Sequence, residues 1–281
     1  MTIDLHVHSY YSDGTKSPAE LVHLASRTGV SAIALTDHDT MDGVAEAQAV
    51  SVEYDVEVIP GVEISVVHDG LPLHILGYFI DPQQKDMAHA LSTLQESRDR
   101  RNEKIIIKLQ ELGINASVEE LSLISGVGQT GRPHIAKLLM NHGAVRSFAQ
   151  AFDKYLAKGQ KAYVGRFAYS AKDAITFIQA AGGLAVLAHP IQIDKTLCVL
   201  NSLLPELRSY GLEGIETYYP SQKKKMQKRI RKFAEASGLF LTGGSDYHGD
   251  IRPGTRLAGG HNVYVPPELL QTMKQRLHQK I

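Results

Sequence analysis

The 281-residue sequence has one cysteine, no net charge and no long apolar run, and each absence excludes a class of protein. Because the single cysteine, Cys198, cannot form a disulfide within the chain, a reducing cytoplasm is the expected location. Basic and acidic residues balance at 30 each, which argues against a protein that coats nucleic acid. No stretch reaches the roughly 18 consecutive apolar residues of a membrane span, and residues 1–5 favour a strand over a secretory leader. We therefore expect no membrane contact and no stable binding of duplex nucleic acid.

The remaining composition is that of a globular protein, with 43% hydrophobic and 21% charged residues. Short apolar stretches alternate with helical stretches, a pattern typical of parallel strands with helical crossovers. We therefore predict an α/β fold, a seven-stranded (β/α)7 TIM-like barrel. The sequence His68-Asp69-Gly70 predicts a hairpin between the third and fourth strands. The predicted strands are residues 3–8, 31–36, 57–65, 73–79, 184–189, 212–217 and 239–244.

Residues 96–164 interrupt this alternation, because their pattern is helical only. They begin with a basic amphipathic stretch, RDRRNEKIIIKLQELG, and continue through a glycine-rich turn into shorter helical stretches. We predict that they form a helical insert and a lid over the site, and that residues 1–95 and 165–281 form the barrel.

Histidine is frequent, with 13 residues, and the first two fall on the first predicted strand. Residues two apart on a strand face the same side, so His6 and His8 project together while Leu5 and Val7 face the opposite side. Two adjacent imidazoles at the end of a barrel strand form a pair of metal ligands. On its own this pair is equally compatible with two histidines packed in a core.

Further histidines and acidic residues lie at or near the carboxyl ends of other predicted strands, where α/β barrels place catalytic residues. Imidazole and carboxylate ligands together suit Mn, Zn or Fe, and a shared carboxylate can bridge two ions. We therefore predict a metal centre. Its predicted ligands are His6, His8, Asp13, His38, Glu63, His74, His189, Asp246 and His248.

Five ordered motifs, DLHVHSYYSDG, TDHDT, PGVEIS, LAHP and GSDYH, carry a resemblance to a known family. Together they resemble the polymerase and histidinol phosphatase (PHP) family of metal-dependent phosphoesterases. The resemblance implies the PHP fold, a distorted seven-stranded barrel that holds two or three divalent ions. It implies one site from His6, His8, Glu63 and Asp246, a second from Asp13, His38 and His248, and a third from His74 and His189 with Glu63 shared.

Motifs in and after the insert resemble a subgroup of that family that acts on nucleotide phosphates and RNA 5′ ends. They are GRPHIA at 131–136, FDKYL at 152–156 and AGG at 181–183. Arg132 can grip two phosphate oxygens with one planar guanidinium, and His134 can donate to the same phosphate or to the leaving oxygen. The simpler alternative is that both residues only begin a helix. Lys154 and Lys158 are further candidates for substrate binding, with solvated surface lysines as the alternative.

These features lead to one main hypothesis, hydrolysis of a phosphate ester of a nucleotide or short RNA by a water that adjacent metal ions activate. Asp246 and Glu63 would hold metal and nucleophile, and Arg132 would neutralise charge on the phosphoryl oxygens. His248 and His134 are both candidates to protonate the leaving oxygen.

Three alternatives stay open: a small-molecule phosphatase of the histidinol-phosphate type, a hydrolase of C–N bonds, and a non-catalytic metal-binding module. Amidohydrolase-type barrels usually carry a metal-bridging lysine, where this chain has Glu63. The full set of ligand positions favours activity over a degenerate module.

Two other features have structural interpretations. Residues 223–232 hold seven basic residues in ten and could follow an RNA backbone. The spacing of Met226, Ile230 and Phe233 favours instead a solvated helix with an apolar inner face. Cys198 lies in an apolar helical stretch and is expected in the core.

Overall fold

Seven strands form a single mixed sheet in chain order, in a computed structural model that describes residues 2–252, 254–258 and 263–280. All seven predicted strands are confirmed, with ends that shift by a few residues. The strands are β1 (Thr2–Val7), β2 (Val30–Leu35), β3 (Glu57–His68), β4 (Leu71–Tyr78), β5 (Leu184–Leu187), β6 (Gly214–Tyr218) and β7 (Phe240–Gly243).

Helices lie between and after these strands, as the alternating pattern predicts. The helices are α1 (Pro18–Thr28), α2 (Val44–Tyr54), α3 (Lys85–Glu111), α4 (Val118–Ser125), α5 (Arg132–Asn141), α6 (Phe148–Ala151), α7 (Ala171–Ala180), α8 (Pro190–Ile193), α9 (Leu200–Ser209), α10 (Lys224–Ser237) and α11 (Glu268–His278). A π-helical turn at Phe152–Leu156 and a 3-10 turn at Gly249–Ile251 complete the helical elements of the described residues.

Strand β4 runs antiparallel to both of its neighbours, whereas the other adjacent strands pair in parallel. The predicted hairpin before it is confirmed, since His68 pairs with Leu71 across the turn. Asp69 and Gly70 take left-handed backbone, with φ of 48° and 77°, which matches the twist of the strands they join. This reversed strand is the distortion that separates the sheet from an all-parallel barrel.

The two edges of the sheet approach each other at the carboxyl end of β1. Among the described residues, the edge strands meet in one bridge, between Val7 and Tyr247, and not in a ladder. Strand pairing therefore does not close the predicted barrel at this seam. A Cβ on Gly244 would lie 2.3 Å from the Cβ of His6, so this close approach requires glycine.

Alternate strand residues pack into two apolar clusters on opposite faces of the sheet. On β2, Ile33 and Leu35 belong to a cluster shared with α1, α2, α7 and α9. Ala32 and Ala34 belong to a second cluster, which α11 covers. Because both faces of the sheet are packed in this way, the strands are nearly all apolar until their carboxyl ends, where the polar side chains of the site begin.

The segment predicted as an insert contains no strand and packs around an apolar cluster of its own. Helix α3, however, begins at Lys85, ahead of the predicted boundary at residue 96. Its first half supplies Met87 and Leu94 to the main core, and its second half supplies Ile105 and Leu109 to the insert cluster. The boundary therefore falls inside one continuous helix. The division into domains and the role as a lid stay predictions.

Helix α10 agrees with its sequence pattern. Ile230 is buried, and Met226 and Phe233 pack against the main core, so the basic residues occupy the outer side of the helix. In the described ranges, no helix is both long enough and apolar enough to cross a membrane.

Cys198 is exposed, so the expectation that it lies in the core is wrong. The Asp194 carboxylate accepts hydrogen bonds from the amides of Thr196 and Val199, at 2.8 and 3.1 Å. These bonds hold the residues around Cys198 as a turn, and α9 begins only at Leu200.

Candidate metal centre

The carboxyl end of β1 places two imidazoles at the middle of the site. His6 and His8 are fully buried, and their Nε2 atoms lie 3.2 and 3.3 Å from one oxygen, Oε2 of Glu63. Asp246 approaches from the loop after β7, with Oδ1 at 3.6 and 3.2 Å from the same two nitrogens. The structure therefore brings together the four residues of the first predicted set.

A second group surrounds Asp13, in the loop that follows β1. Its Oδ1 lies 3.1 Å from His248 Nε2, 4.0 Å from His38 Nε2 and 3.9 Å from His8 Nδ1. The three residues of the second predicted set are thus neighbours. His8 joins them and faces both groups.

A third group shares Glu63 with the first. Oε1 of Glu63 lies 2.7 Å from His74 Nδ1 and 2.8 Å from His189 Nε2, and these two nitrogens are 3.3 Å apart. His38 Nδ1 approaches the other oxygen of Glu63 at 3.1 Å. The third predicted set is therefore brought together as well. His38 joins Glu63 and His74 in a further possible metal-binding group.

Several polar atoms at the centre are buried without a hydrogen-bond partner among the described residues. Such atoms are costly unless something else satisfies them. Their donor types, imidazole nitrogen and carboxylate oxygen, are those that divalent ions take in mixed sites. The residues present therefore fit metal ions. The atoms are His6 Nε2, His8 Nε2, Asp13 Oδ1, His38 Nδ1, His189 Nδ1 and His248 Nε2.

Burial and charge act in opposite directions on the carboxylates. Burial raises the pKa of Glu63, but His74, His38 and other histidines outweigh it and hold that pKa well below the usual range. Asp13 shows the same balance, with its pKa lowered by His248 and His38 against burial. Burial lowers the pKa of His38 to about 3. Ionised carboxylates and a neutral imidazole are the forms in which these groups bind metal ions.

Glu216 orients two of the histidines from β6, and sequence reasoning missed it. One of its oxygens accepts from His6 Nδ1 at 3.0 Å, and the other accepts the His189 amide hydrogen at 2.7 Å. A proton on Nδ1 leaves Nε2 of His6 as the ligand atom, the usual arrangement behind a metal-binding histidine. The only signal in the sequence is a glutamate within an apolar strand.

Two more buried aspartates, also missed as functional residues, fix the loops that carry ligands. Asp37 accepts the amide and hydroxyl hydrogens of Ser9, at 2.7 and 2.6 Å, and shapes the loop after β1. Asp4 does the same for Ser245, at 2.8 and 2.6 Å, next to the ligand after β7. Both lie in the quoted motifs, so in this chain those motifs contain residues that shape the loops as well as predicted ligands.

Asp246 has two further partners, which sequence reasoning also missed. Its Oδ2 accepts from the Tyr219 hydroxyl at 2.8 Å and forms an ion pair with Arg252. Burial raises the pKa of Asp246, but Arg252 and then the histidines lower it well below the usual range. Oδ1 is thereby left to face the imidazoles.

The motif from the insert lies at the start of α5. Arg132 is the first residue of that helix, and its guanidinium lies 5.8 Å from the centre of the Phe152 ring and donates to the Leu156 carbonyl over 3.4 Å. His134 is 6% exposed, and its Nδ1 accepts the Gly131 amide hydrogen at 2.9 Å. Both residues therefore do take part in beginning a helix, and no other described residue bonds to His134 Nε2.

Lys154 and Lys158 lie on the surface. Both are exposed, and within the described ranges neither forms an ion pair or a hydrogen bond with a ligand residue. Their place agrees with the interpretation as solvated lysines, and the role in substrate binding stays a prediction.

A cavity of about 500 Å³ lies between the loop after β1 and the insert. Gly14, the chain neighbour of the predicted ligand Asp13, lines it, whereas none of the nine predicted ligand residues does. Its volume falls within the roughly 300–1,000 Å³ of small-molecule sites. The wall also includes Tyr10, Pro133, His134, Lys137 and Phe148.

Comparison with known proteins adds independent findings. A family model described as PHP domain matches residues 4–180. A 5'-3' exoribonuclease of Haemophilus influenzae is 36% identical over 245 residues, which cover 87% of this chain and 89% of the relative. A 3',5'-nucleoside bisphosphate phosphatase of Chromobacterium violaceum is 33% identical over 266 residues, covering 94% and 93%.

A solved structure described as an amidohydrolase from Chromobacterium violaceum superposes with a TM-score of 0.88. It is 32% identical and covers 98% of this chain and 97% of its own. The resemblance found in the five motifs is confirmed. The chain therefore belongs to the PHP domain family, and its reaction is the hydrolysis of phosphoester bonds.

Proposed function

We propose that the protein hydrolyses phosphate esters of nucleotides or of short 5′-phosphorylated RNA. The proposal depends on one observation, the groups of buried imidazoles and carboxylates, with a cavity of nucleotide size lined by Gly14, the chain neighbour of Asp13. Tyr10 and Phe148 offer aromatic rings on which a base can stack, and Lys137 offers a positive charge. The activities named for the exoribonuclease and the bisphosphate phosphatase support the same substrate class.

We assign two or three divalent ions, Mn, Zn or Fe, to the nine ligand residues in the sets described above. When bound, such ions supply a water of lowered pKa and neutralise charge on the phosphoryl oxygens. Glu63 keeps the sets adjacent, because its two oxygens face different histidines. Arg132 adds a bidentate grip on phosphate from the insert side of the site.

His134 is assigned as a hydrogen-bond donor to a phosphoryl or leaving oxygen. Because Nδ1 accepts the Gly131 amide hydrogen, the proton of the neutral ring lies on Nε2. Protonating Nδ1 would bring two hydrogens face to face, and burial also lowers the pKa of His134. The other candidate acid, His248, has Nδ1 bonded to the Asp246 carbonyl and Nε2 in a ligand group. We therefore assign His248 to metal binding.

His134→Gln is expected to retain activity that His134→Ala loses, because a glutamine amide still donates a hydrogen bond. We expect kcat/KM to fall about 10²-fold for alanine and about tenfold for glutamine, the range for loss of one donor to a transition-state oxygen. When kcat/KM is measured from pH 5 to 9, its decrease on the basic side should be the same in the wild type, His134→Ala and His134→Gln. If kcat/KM of His134→Gln is as low as that of His134→Ala, and both variants lack the basic limb of the pH profile, His134 is instead a proton donor.

The substrate class is tested with a panel of esters and amides on the metal-loaded protein. Nucleoside phosphates and short 5′-phosphorylated RNA should be hydrolysed much faster than histidinol phosphate, because only they fill the aromatic cavity. Amides and lactones should not react. Faster turnover of histidinol phosphate than of every nucleotide would refute the proposed substrate, and turnover of amides alone would refute the reaction class.

A further inference from the structure

Helix α3 carries two arginines on its buried side. Arg98 and Arg101 are 7% and 5% exposed, on the same side of the helix as the buried Leu94 and Ile105. A guanidinium is rarely buried without a partner, because removing it from water is costly. Each of these two buried charges therefore needs a partner, either in the protein or in a bound ligand.

Asp39 neutralises part of the charge. It is fully buried in the turn after β2 and forms ion pairs with Arg98 and with Arg166, the latter at 3.0 Å. Its other oxygen accepts the Ser65 amide hydrogen at 2.8 Å. One carboxylate thus holds two guanidinium groups side by side.

Arg101 forms no ion pair among the described residues. Its guanidinium donates twice to Asn102 Oδ1, at 3.2 and 2.7 Å, and Nε of Arg98 has no hydrogen-bond partner in the same ranges. Burial, and then the charges of Arg98, Arg166 and Arg132, lower the pKa of Arg101, against the smaller raising effect of Asp39. Because a guanidinium stays protonated in proteins, three buried positive charges, those of Arg98, Arg101 and Arg166, share the single carboxylate of Asp39.

This surplus of positive charge lies against the proposed active site. Asp39 directly follows the ligand His38, and its amide donates to the Glu63 carbonyl at 3.0 Å. On the insert side, a Cβ built on Gly131 would lie 3.6 Å from Arg98 Nη1, so Arg98 reaches the start of α5. The amino terminus of that helix adds a further positive field.

We propose that Arg98, Arg101 and Arg166 form an arginine pocket that binds a second phosphate group of the substrate, distinct from the group that is hydrolysed. This inference rests on the proposed function, because the second phosphate must belong to a nucleotide held at the metal centre. The substrate class is then a nucleotide with a further phosphate, either a nucleoside bisphosphate or an oligonucleotide with its next phosphodiester in the pocket. Planar guanidinium groups match phosphate oxygens in pairs. The side chain of Arg166 is 15% exposed and provides the open side.

Binding is tested first on metal-free protein in excess chelator, with sulfate as the probe and chloride at matched ionic strength as the reference. Sulfate should raise the melting temperature of the wild type. Arg101→Met should raise the melting temperature without sulfate, because it removes an unpaired buried charge, and should lose the sulfate shift. Arg100→Met is the matched control, because Arg100 is the preceding residue of the same helix, is exposed and pairs with Glu96. It should keep the sulfate shift.

Kinetics then test whether the bound phosphate belongs to the substrate. The wild type should prefer a nucleoside 3′,5′-bisphosphate to the matching monophosphate, and Arg101→Met should reduce that preference about 10- to 100-fold, the value of one charge-assisted hydrogen bond. Arg101→Gln, which can still donate to Asn102, repeats the comparison if the methionine variant does not fold.

The outcomes separate the inference from the proposed function. If no phosphate ester is hydrolysed, the proposed function fails, while the sulfate shift still reports on the pocket. If esters are hydrolysed but Arg101→Met keeps the sulfate shift, the pocket is refuted and the proposed function stands. A sulfate shift that depends on Arg101, with an unchanged bisphosphate preference, overturns the assignment to substrate and indicates a site for free phosphate.

Discussion

Glu63→Gln is expected to lower kcat by roughly 10³-fold or more, because metal ions contribute several kcal/mol of transition-state stabilisation and each 1.36 kcal/mol is tenfold in rate. The two oxygens of Glu63 face the ligand histidines on both sides, at 2.7 to 3.3 Å. A glutamine amide has no charge and turns one of these oxygens into a donor. Metal analysis of the purified variant should show the loss of at least one ion per chain.

The matched control is Glu206→Gln. Glu206 also contacts a histidine, His68, at 3.2 Å, but outside the three groups that contain the predicted ligands, with its side chain 42% exposed. It should keep wild-type activity. Chelation of the wild type should abolish activity, and re-addition of a divalent ion should restore it. Full activity of Glu63→Gln with an unchanged metal content would contradict the assignment of the centre.

Asp39→Asn should destabilise the fold by about 3 kcal/mol or more, because it leaves two buried guanidinium groups without their carboxylate. Backbone strain does not add to this loss of stability, since asparagine, like aspartate, tolerates the left-handed φ of 56° at this position. Urea unfolding at neutral pH measures the difference. Asp42→Asn, at an exposed position of the same turn, should change stability by less than about 0.5 kcal/mol.

The pH dependence of this difference has a definite sign. Burial raises the pKa of Asp39, but Arg166 and Arg98 outweigh it and hold the pKa well below the usual range. The stabilisation is therefore fully present above the pKa of an unfolded aspartate, about 3.9, and is lost as the pH falls toward the lower folded value. The difference in free energy of unfolding between the wild type and Asp39→Asn should become smaller below about pH 4. A difference that stays constant into the acid range would show that the ion pairs of Asp39 do not stabilise the fold.

The strands could be predicted because each is a short apolar run between turn residues, as in the sequence LAVL of β5. The hairpin could be predicted because its turn sequence permits left-handed backbone. The single bridge between the sheet edges could not, since it depends on how closely the segment after β7 approaches β1, as at Gly244 and His6. Cys198 was wrongly predicted in the core because its neighbours are apolar. The signal for a turn is Asp194, four residues earlier, which accepts hydrogen bonds from the amides that follow it.

The convergence of the ligand residues could be predicted because strand period and motif order put them at one end of the sheet, whereas their division into three sets is what the family resemblance implied. Glu216 could not, since its hydrogen bond to His6 depends on distant strands. Arg98 and Arg101 did carry a signal. They continue the three- and four-residue spacing of the apolar residues of α3, which places them on its buried side. The signal is hard to recognise because their neighbours in the sequence are also charged.

Helix α3 has a mechanical consequence. With 27 residues it is roughly 40 Å long, and it is anchored in the main core at one end and in the insert at the other. Because Arg98 lies between the two anchored ends and pairs with Asp39, a motion of the insert that tilts the helix would strain that ion pair. An anion bound to Arg98 and Arg101 would then oppose the motion, so anion binding and the position of the insert would be coupled.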